Sequence, residues 1–508
     1  MITPGFFGLF NAQRGLIAAQ IALNTVGHNI SNANTPGYSR QRVDISQAPS
    51  YALPTNFQDT ANQLGQGPTV LQITRSKDAY LDGQYRLANA KLGMNSTGRD
   101  ALGQVEGIIS EPTPDSLNNT LQTFFDSAQE MSLHPESTAT RTSFVQQALD
   151  MVSIFQLQAN QFSDLRKNLV GDPVDTSSFA TSQLSVTVSD INSKLSAITD
   201  LNNSIVSIMA TGAKPNDLMD QRDKLLDDLS SLVDVNVKNY DNGQIDLSIG
   251  GVTMIQGGHQ IESLEVIQNP GPAPVPDDVP SLVRTVTGQV VLNDGSGQEI
   301  TSGKLKGIID MGGNDPNITT VRSMLGKLDT LLNEVVTQVN TLQTAGRDEN
   351  GNLSPPAIFQ QNATLNPGQP LNIFHWEVTP GIVTDPSQVA AAIDDPTAPS
   401  GFAGVGDGRN ATAMAQLRDQ TFAALGTNFT DYLTGSISKL SVDSSTYQNA
   451  SKIQQNLTQS VDLQRQSMSG VNVDEETIDL LRYQRAFEAT SKTIKTLDEV
   501  TQTIINML

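Results

Sequence analysis

The 508-residue sequence predicts a mainly α protein with a β-rich inserted region, built as a long-helix bundle. A terminal α-helical coiled-coil domain, formed jointly by the N- and C-terminal segments, completes it. Three observations carry this expectation. Apolar residues recur every seven positions at both chain ends, several further heptad runs lie between them, and the stretch from Val235 to Ile300 differs, opening with period-two alternation over Val235–Ile249 and continuing through Gly-rich and Pro-rich breaks.

At the N-terminus Leu9, Leu16, Leu23 and Ile30 share one register, with Ala12, Ala19 and Val26 three residues behind the first three. This is the pattern of a helix that buries a narrow seam. Asn34-Thr35-Pro36-Gly37 supplies the stop, because the residue before a proline leaves the helical region and Pro-Gly favours a turn. At the C-terminus Leu480, Phe487, Ile494 and Leu508 repeat the register, with Tyr483, Leu497 and Ile504 in companion positions and Thr501 as the polar exception. Asn472 is placed to cap this helix, and Asp474, Glu475 and Glu476 suit its first turn. Either segment alone reads as an ordinary core helix. Seams at both extreme ends are less usual, since termini normally fray. Nothing near either seam in the sequence is expected to cover it, so assembly with other subunits is expected to supply the contacts.

Between the ends, Phe155, Phe162 and Leu169 form a register supported by Met151 and Leu165. Leu184, Ile191, Ile198 and Ile205 form another, beside Val188, Leu195 and Leu201. Val321, Leu328, Val335 and Leu342 form a third, with Leu325, Leu332 and Val339. These read as long, near-parallel rods. In the alternating stretch, Asp241-Asn242-Gly243 supplies a hairpin turn between Val235, Val237 and Ile245, Leu247, Ile249. The expected organisation is residues 1–35 and 469–508 as two halves of an inner helical domain. Between them stand a long-helix bundle at 36–234, a β-rich segment at 235–310, a returning helix at 311–347, an inserted outer domain or loops at 348–409, and bundle helices at 410–468.

Composition narrows the function. The formal net charge of −22, with no Lys/Arg cluster, argues against nucleic acid and against an anionic membrane surface as partners. The absence of cysteine excludes disulfides, cysteine metal sites and thiol nucleophiles. No run of 18 apolar residues predicts a membrane-spanning helix, and the N-terminus lacks the layout of an ordinary secretory signal. His28, His134, His259 and His375 stand apart from other candidate ligands. Gly303-Lys304 fails as a phosphate loop because Gln298 and Leu305 stand where Gly and Ser/Thr are needed. Asp348, Asn350 and Asn352 have the start of a calcium loop, but Leu353 and Phe359 replace its glycine and its bidentate glutamate. No catalytic residue, cofactor or metal is therefore expected.

The segment from Asn29 to Arg40, which contains Asn32, Asn34, Thr35, Pro36, Gly37 and Tyr38, resembles the N-terminal signature of flagellar axial proteins, the group of rod, hook and junction subunits. Ser469 to Glu476, followed by Leu481-Arg482-Tyr483-Gln484, resembles the C-terminal motif of the hook-associated protein 1 family. Pro215 to Asp223, Ser302 to Gly307 and Asp407 to Asn410 resemble further landmarks of that family in the same order. The resemblance implies a secreted structural subunit outside the cell, joining hook to filament. Its implied partners are other copies in a ring, the hook protein, a second junction protein or the filament, an export chaperone that guards the C-terminal helix, and the flagellar type III export apparatus. On this reading Leu480, Tyr483, Phe487, Ile494, Leu497, Ile504 and Leu508 serve both assembly and chaperone binding. A hook or distal-rod subunit is the alternative within the class. A secreted adhesin or enzyme that borrows flagellar export is the alternative outside it. Charge adds a weak hint: residues 1–43 hold Arg14, Arg40 and Arg42 and no acid, whereas residues 471–508 hold seven acids against four bases, so the ends are expected to attract.

Overall fold

Local signals in the sequence begin and end the helices where they are expected to. In the computed structural model, α1 (Pro4–Asn32) stops in a turn whose Gly37 takes a φ of 85°, beyond easy reach of a residue with a Cβ. The structure describes residues 4–49, 51–52, 63–109, 116–171, 180–267, 282–285, 291–292, 300–313, 318–362, 364, 372–398 and 400–507.

Strands β1 (Gln41–Gln47), β2 (Tyr51–Ala52), β3 (Gln63–Leu64) and β4 (Pro68–Arg75) follow α1. Then come α2 (Ala79–Ile109), α3 (Leu117–Leu133), α4 (Thr138–Val170), α5 (Gln183–Met209) and α6 (Asn216–Leu232). Strands β5 (Val235–Asn239), β6 (Ile245–Ile249), β7 (Val252–Gln256) and β8 (His259–Gln260) make one antiparallel sheet in that order. Strands β9 (Leu264–Ile267), β10 (Leu282–Thr285) and β11 (Val291–Leu292) make a second. Helices α7 (Lys304–Gly312) and α8 (Val321–Ala345) come next. Short ladders pair β12 (Gly346–Arg347) with β15 (Ala392–Ile393) and β13 (Phe359–Gln361) with β14 (Trp376–Val378), with α9 (Pro380–Thr384) between β14 and β15. The chain ends in α10 (Arg409–Gln416), α11 (Phe429–Ser469) and α12 (Val473–Met507).

The contacts divide the chain into two units, each drawn from separated stretches. The first gathers Met1–Lys91, Ile191–Ser263 and Gln454–Leu508, and the second Leu92–Asp190 and Leu264–Ile453. The β1–β4 ladder, with Gln41 opposite Arg75, stands inside the stretch 36–234 that was expected as a long-helix bundle. In β1 Val43 and Ile45 do alternate with Arg42, Asp44 and Ser46, a short signal that the helical expectation passed over.

In the first unit the predicted hairpin forms as β5–β6, with Val235 opposite Ile249 and Gly243 at a φ of 80° in the turn. Ile245, Leu247 and Ile249 are fully buried. One heptad expectation shifts by a residue. Leu201 is half-buried, and Asn202 takes the core position. Its side-chain oxygen accepts from the Ile245 backbone N–H at 3.0 Å and from Arg222 at 2.9 Å. Arg222 also donates to Gly243 O at 2.7 Å, so a buried guanidinium pins the hairpin, and burial pushes its pKa down to about 10.

In the second unit Ser116 caps α3, and Thr320 with Ser323 forms a capping box at α8. The expected registers face the core: Phe155, Phe162 and Leu169 in α4, and Val321, Leu328 and Val335 in α8, are buried. An aromatic cluster adds to them, with Phe124 5.1 Å from both Phe125 and Phe144, and Phe429 stacked on Phe125 and Phe422. Among the described residues of 348–409, expected as an outer domain or loops, stand short ladders, 3₁₀ turns and the short helix α9, and amides on α8 hold part of this chain. Asn340 makes two bonds to the Phe359 backbone, Gln343 binds Pro356, Gln388 and Ala390, and Asn333 accepts from the Trp376 indole at 2.6 Å. These polar helix positions stand in for strand partners and so satisfy irregular backbone. Asp348 accepts from the backbone and side chain of Asn352, which closes a turn. Among the described residues no group of three or more metal-ligating side chains occurs, and no helix is long and apolar enough to cross a membrane.

Phe144 is fully buried within the aromatic cluster. Phe144→Ala is expected to cost about 3–5 kcal/mol, measured by denaturant unfolding followed through the second unit's near-UV signal. A loss below about 1 kcal/mol would show that the cluster is not packed as described.

Candidate assembly site at the paired chain ends

The two terminal helices lie antiparallel against each other. A Cβ on Gly8 would stand 3.4 Å from Leu497 Cδ1, and one on Gly15 would stand 3.3 Å from Thr490 Cγ2. Asn29 donates to Glu476 at 2.9 Å. Each pair of numbers adds to 505, so the helices keep one register over three heptads. The expected terminal domain, formed jointly by the N- and C-terminal segments, is present: each seam is the other's partner, and the contacts that nothing nearby in sequence supplies come from the opposite end of the chain. An uncovered apolar helix is marginal in water, and mutual pairing is the nearest remedy.

The centre of the α1 seam also shifts. Ala12, Ala19 and Val26 are buried as expected, but Leu9, Leu16, Leu23 and Ile30 are only half-buried. The facing positions are one residue earlier, at Gly8, Gly15, Ala22 and Asn29, where small side chains let the two backbones approach. On α12, Leu480, Tyr483, Phe487, Ile494 and Leu497 are half-buried, and Tyr483 and Leu497 share the seven-residue step of Glu476 and Thr490 that faces α1. Ile504's side chain and Leu508 lie outside the described residues. Glu476 is the one fully buried side chain among those described on α12. Phe10, Ile17, Ile478, Leu481 and Val500 stay exposed on the outer faces.

At one end of the pair a polar clamp closes the site. Asn29 Oδ1 accepts from the Gln41 N–H at 3.0 Å and from the Tyr38 hydroxyl at 2.8 Å. Its Nδ2 donates to Gln41 O at 2.9 Å and to Glu476 Oε2. All four hydrogen-bonding positions of one buried amide are thus used. Arg40 reaches Glu476 at 2.7 Å, Glu475 at 3.0 Å and Asp479 at 3.7 Å, and its backbone N–H donates to Ser469 O. The expected attraction between oppositely charged ends reduces to this one arginine. Arg14 bonds Gln66, and Arg42 sits 3.8 Å from Asp44.

The family-motif residues build the floor of the clamp. Asn32 caps back to His28 O and accepts from Thr35. Asn34, Thr35 and Pro36 are exposed in the turn, and Gly37 packs on Lys224. Tyr38 also meets His28 Nδ1 at 2.9 Å. Burial, with Asp217, Asp220 and Glu476 nearby, pushes its phenol well above the ordinary range. Ser39 donates its N–H and hydroxyl to Asp220, and Gln41 donates to Asp217 at 2.7 Å. Behind these, Arg75 bridges Asp220 and Asp223 at 2.8 Å each, Lys77 bonds Asp223, and Arg86 and Arg465 bond Asp227. Burial alone would raise the Asp223 pKa, but Lys77, Arg75 and Arg86 hold it down at about 2.

Sequence reasoning singled out the apolar seams and the motif, and missed Asn29, Gln41, Arg75, Asp217, Asp220, Asp223 and Glu476 as parts of one site. A signal was present. Asn29 falls on the seven-residue step that starts at Gly8 and Gly15, and a polar residue on a seam is a register marker.

A cross-link and a titration check this geometry. The chain has no cysteine, so Gly15→Cys with Thr490→Cys should close a disulfide on mild oxidation, whereas Gly15→Cys with Leu497→Cys, one heptad out of step, should not. Equal closure of both pairs, read on non-reducing gels, would refute the register. Asp223 has a folded pKa below its unfolded value, so its stabilisation is present above about pH 4 and is lost as pH falls through about 2. The stability gap between the wild type and Asp223→Asn should narrow by roughly 2 kcal/mol across that window, measured by unfolding at fixed pH values. A gap independent of pH would remove Asp223 from the network.

Comparison with known proteins agrees with this architecture. Residues 102–359, half of the chain, match the family model described as flagellar hook-associated protein FlgK helical domain. Residues 9–38 match a flagella basal body rod protein model, and residues 462–507 match the C-terminal model of flagellar basal body rod FlgEFG proteins. Flagellar hook-associated protein 1 of Bacillus subtilis is 28% identical over 99% of this chain and 99% of its own length. The protein of the same name from Salmonella typhimurium is 25% identical over 98% of this chain and 99% of its own. A solved structure of the flagellar hook junction protein FlgK from Burkholderia pseudomallei shares the fold, with a TM-score of 0.60 at 16% identity over 76% of this chain and 100% of that one. The chain belongs to the flagellar hook-associated FlgK family.

Proposed function

We propose that this chain is a structural subunit of the bacterial flagellum that joins the hook to the filament. The observation that carries the reading is the α1–α12 pair, which covers its own inner seam yet leaves Leu9, Leu16, Leu23, Phe487 and Ile494 half-exposed and Phe10, Ile17, Ile478 and Leu481 exposed. A helix pair with apolar residues on outer faces is built to be covered again. Copies associate in a ring through these faces, with the hook protein on one side and a second junction protein or the filament on the other. The subunit leaves the cell through the flagellar type III export apparatus, its C-terminal helix guarded beforehand by a chaperone, and it acts outside the cell. Its role is mechanical, not catalytic. Models of rod proteins match both ends of the chain, but the match over residues 102–359 is to the FlgK helical domain, which favours the junction over a rod or hook position.

Phe487→Asp tests the proposal. Burying a phenylalanine contributes about 1.5–3 kcal/mol, and a carboxylate in its place loses this and adds a desolvation cost. Purified Phe487→Asp added to isolated hooks is expected not to cap them or permit filament growth, while the thermal transition of the second unit stays unchanged. Lys492→Gln, on an exposed position, should be silent. Normal capping by Phe487→Asp would sink the proposal.

A further inference from the structure

Counting donors and acceptors fixes the protons of the clamp, all of whose residues belong to the first unit. The Asn29 amide has one orientation, because its Nδ2 donates to Gln41 O and Glu476 while its Oδ1 accepts from the Gln41 N–H. The Tyr38 hydroxyl has one proton, and at 2.8 Å from Asn29 Oδ1 it donates that proton there. Nδ1 of the half-buried His28, 2.9 Å from the same hydroxyl oxygen, must therefore donate to it. The other ring nitrogen, Nε2, stands 3.6 Å from Asp217 Oδ2. A carboxylate only accepts, so this contact is favourable when Nε2 also carries a proton.

Only the doubly protonated ring satisfies all three contacts. Each neutral tautomer loses one. With the proton on Nδ1, the Nε2 lone pair faces the carboxylate. With the proton on Nε2, Tyr38 turns its own proton to Nδ1 and leaves two acceptor oxygens 2.8 Å apart. The surrounding charges suit a cation. Asp217 and Asp220 on α6 and Glu476 on α12 act on Tyr38 beside the ring. The nearby bases are already paired, Arg40 with Glu476 and Lys224, which packs on Gly37, with Asp228. We propose that His28 is a proton-operated latch on the clamp: its charged ring joins Asp217 to Tyr38 and keeps Tyr38 on Asn29, and loss of one proton releases one of these links. Histidine changes charge between about pH 5 and 8. The stabilisation belongs to the protonated ring, so it is present on the acid side of that window and lost as pH rises.

Amide hydrogen exchange on the full chain tests the latch, read at the Ser39 and Gln41 N–H groups that bond within the clamp. After correction for intrinsic rates, their protection is expected to fall at least about threefold from about pH 6 to about pH 8, within the limit of about tenfold per pH unit that one proton sets. His28→Gln has no titrating ring and should flatten the profile. Asp217 is exposed, so Asp217→Asn leaves the core intact. Its amide can accept from Gln41 and donate to a neutral Nε2, and the pH dependence should vanish there too. Wild-type protection that is flat or rises over this window overturns the proposal, as does a dependence that persists in Asp217→Asn. Should His28→Gln fail to fold, Asp217→Asn decides.

Discussion

Burying the Asn29 amide beside the Glu476 carboxylate leaves both groups without water, so each must find its partners in the protein or the pair is costly. The partners come from three places in the chain. Gln41 and Tyr38 belong to the turn after α1, Arg40 reaches across to the start of α12, and Asp220 on α6 holds Ser39 and Arg75 behind them. Breaking one link strands the others, which is why residues far apart in sequence behave as one unit. The antiparallel register of α1 and α12 is set at this end, and the small residues at Gly8, Gly15 and Ala22 carry it along the pair.

The ionic ladder behind the clamp extends the same logic. Arg75, Lys77, Arg86 and Arg465 alternate with Asp220, Asp223 and Asp227, and all are largely buried. Such charges add little net stability over apolar packing, but they accept few alternative arrangements. Helix α6 is thereby fixed against β4, α2 and α11 within the first unit, and the terminal pair springs from a rigid base.

The two units solve packing differently. The second relies on Phe124, Phe125, Phe144, Phe155 and Phe162, an aromatic core that tolerates no water, and lets amides on α8 hold irregular chain. The first has few aromatics in its core and many satisfied polar groups. Apolar burial dominates stability where helices bundle, whereas polar specificity dominates where chain ends must meet in one register.

Heptad spacing determined α1, α4, α5, α8 and α12, because burial on one face demands that period whatever the partner. Turn and cap residues determined the β5–β6 hairpin through Asp241-Asn242-Gly243, the cap at Asn472 and the stop at Pro36-Gly37, because these depend on local backbone preference. The seams at Ala12, Ala19 and Val26 were legible for the same reason. Their pairing with the C-terminal helix was expected too, but its register was not, since periodicity marks a buried face without setting how two such faces align. The half-buried state of Leu9, Leu16 and Leu23, the replacement of Leu201 by Asn202 in the core, and the β1–β4 ladder were settled by neighbours distant in sequence. So was the clamp. Asn29, Arg40, Asp220 and Glu476 stood in three separate sequence motifs, and only the tertiary structure, by bringing those stretches of a 508-residue chain together, made them a single site.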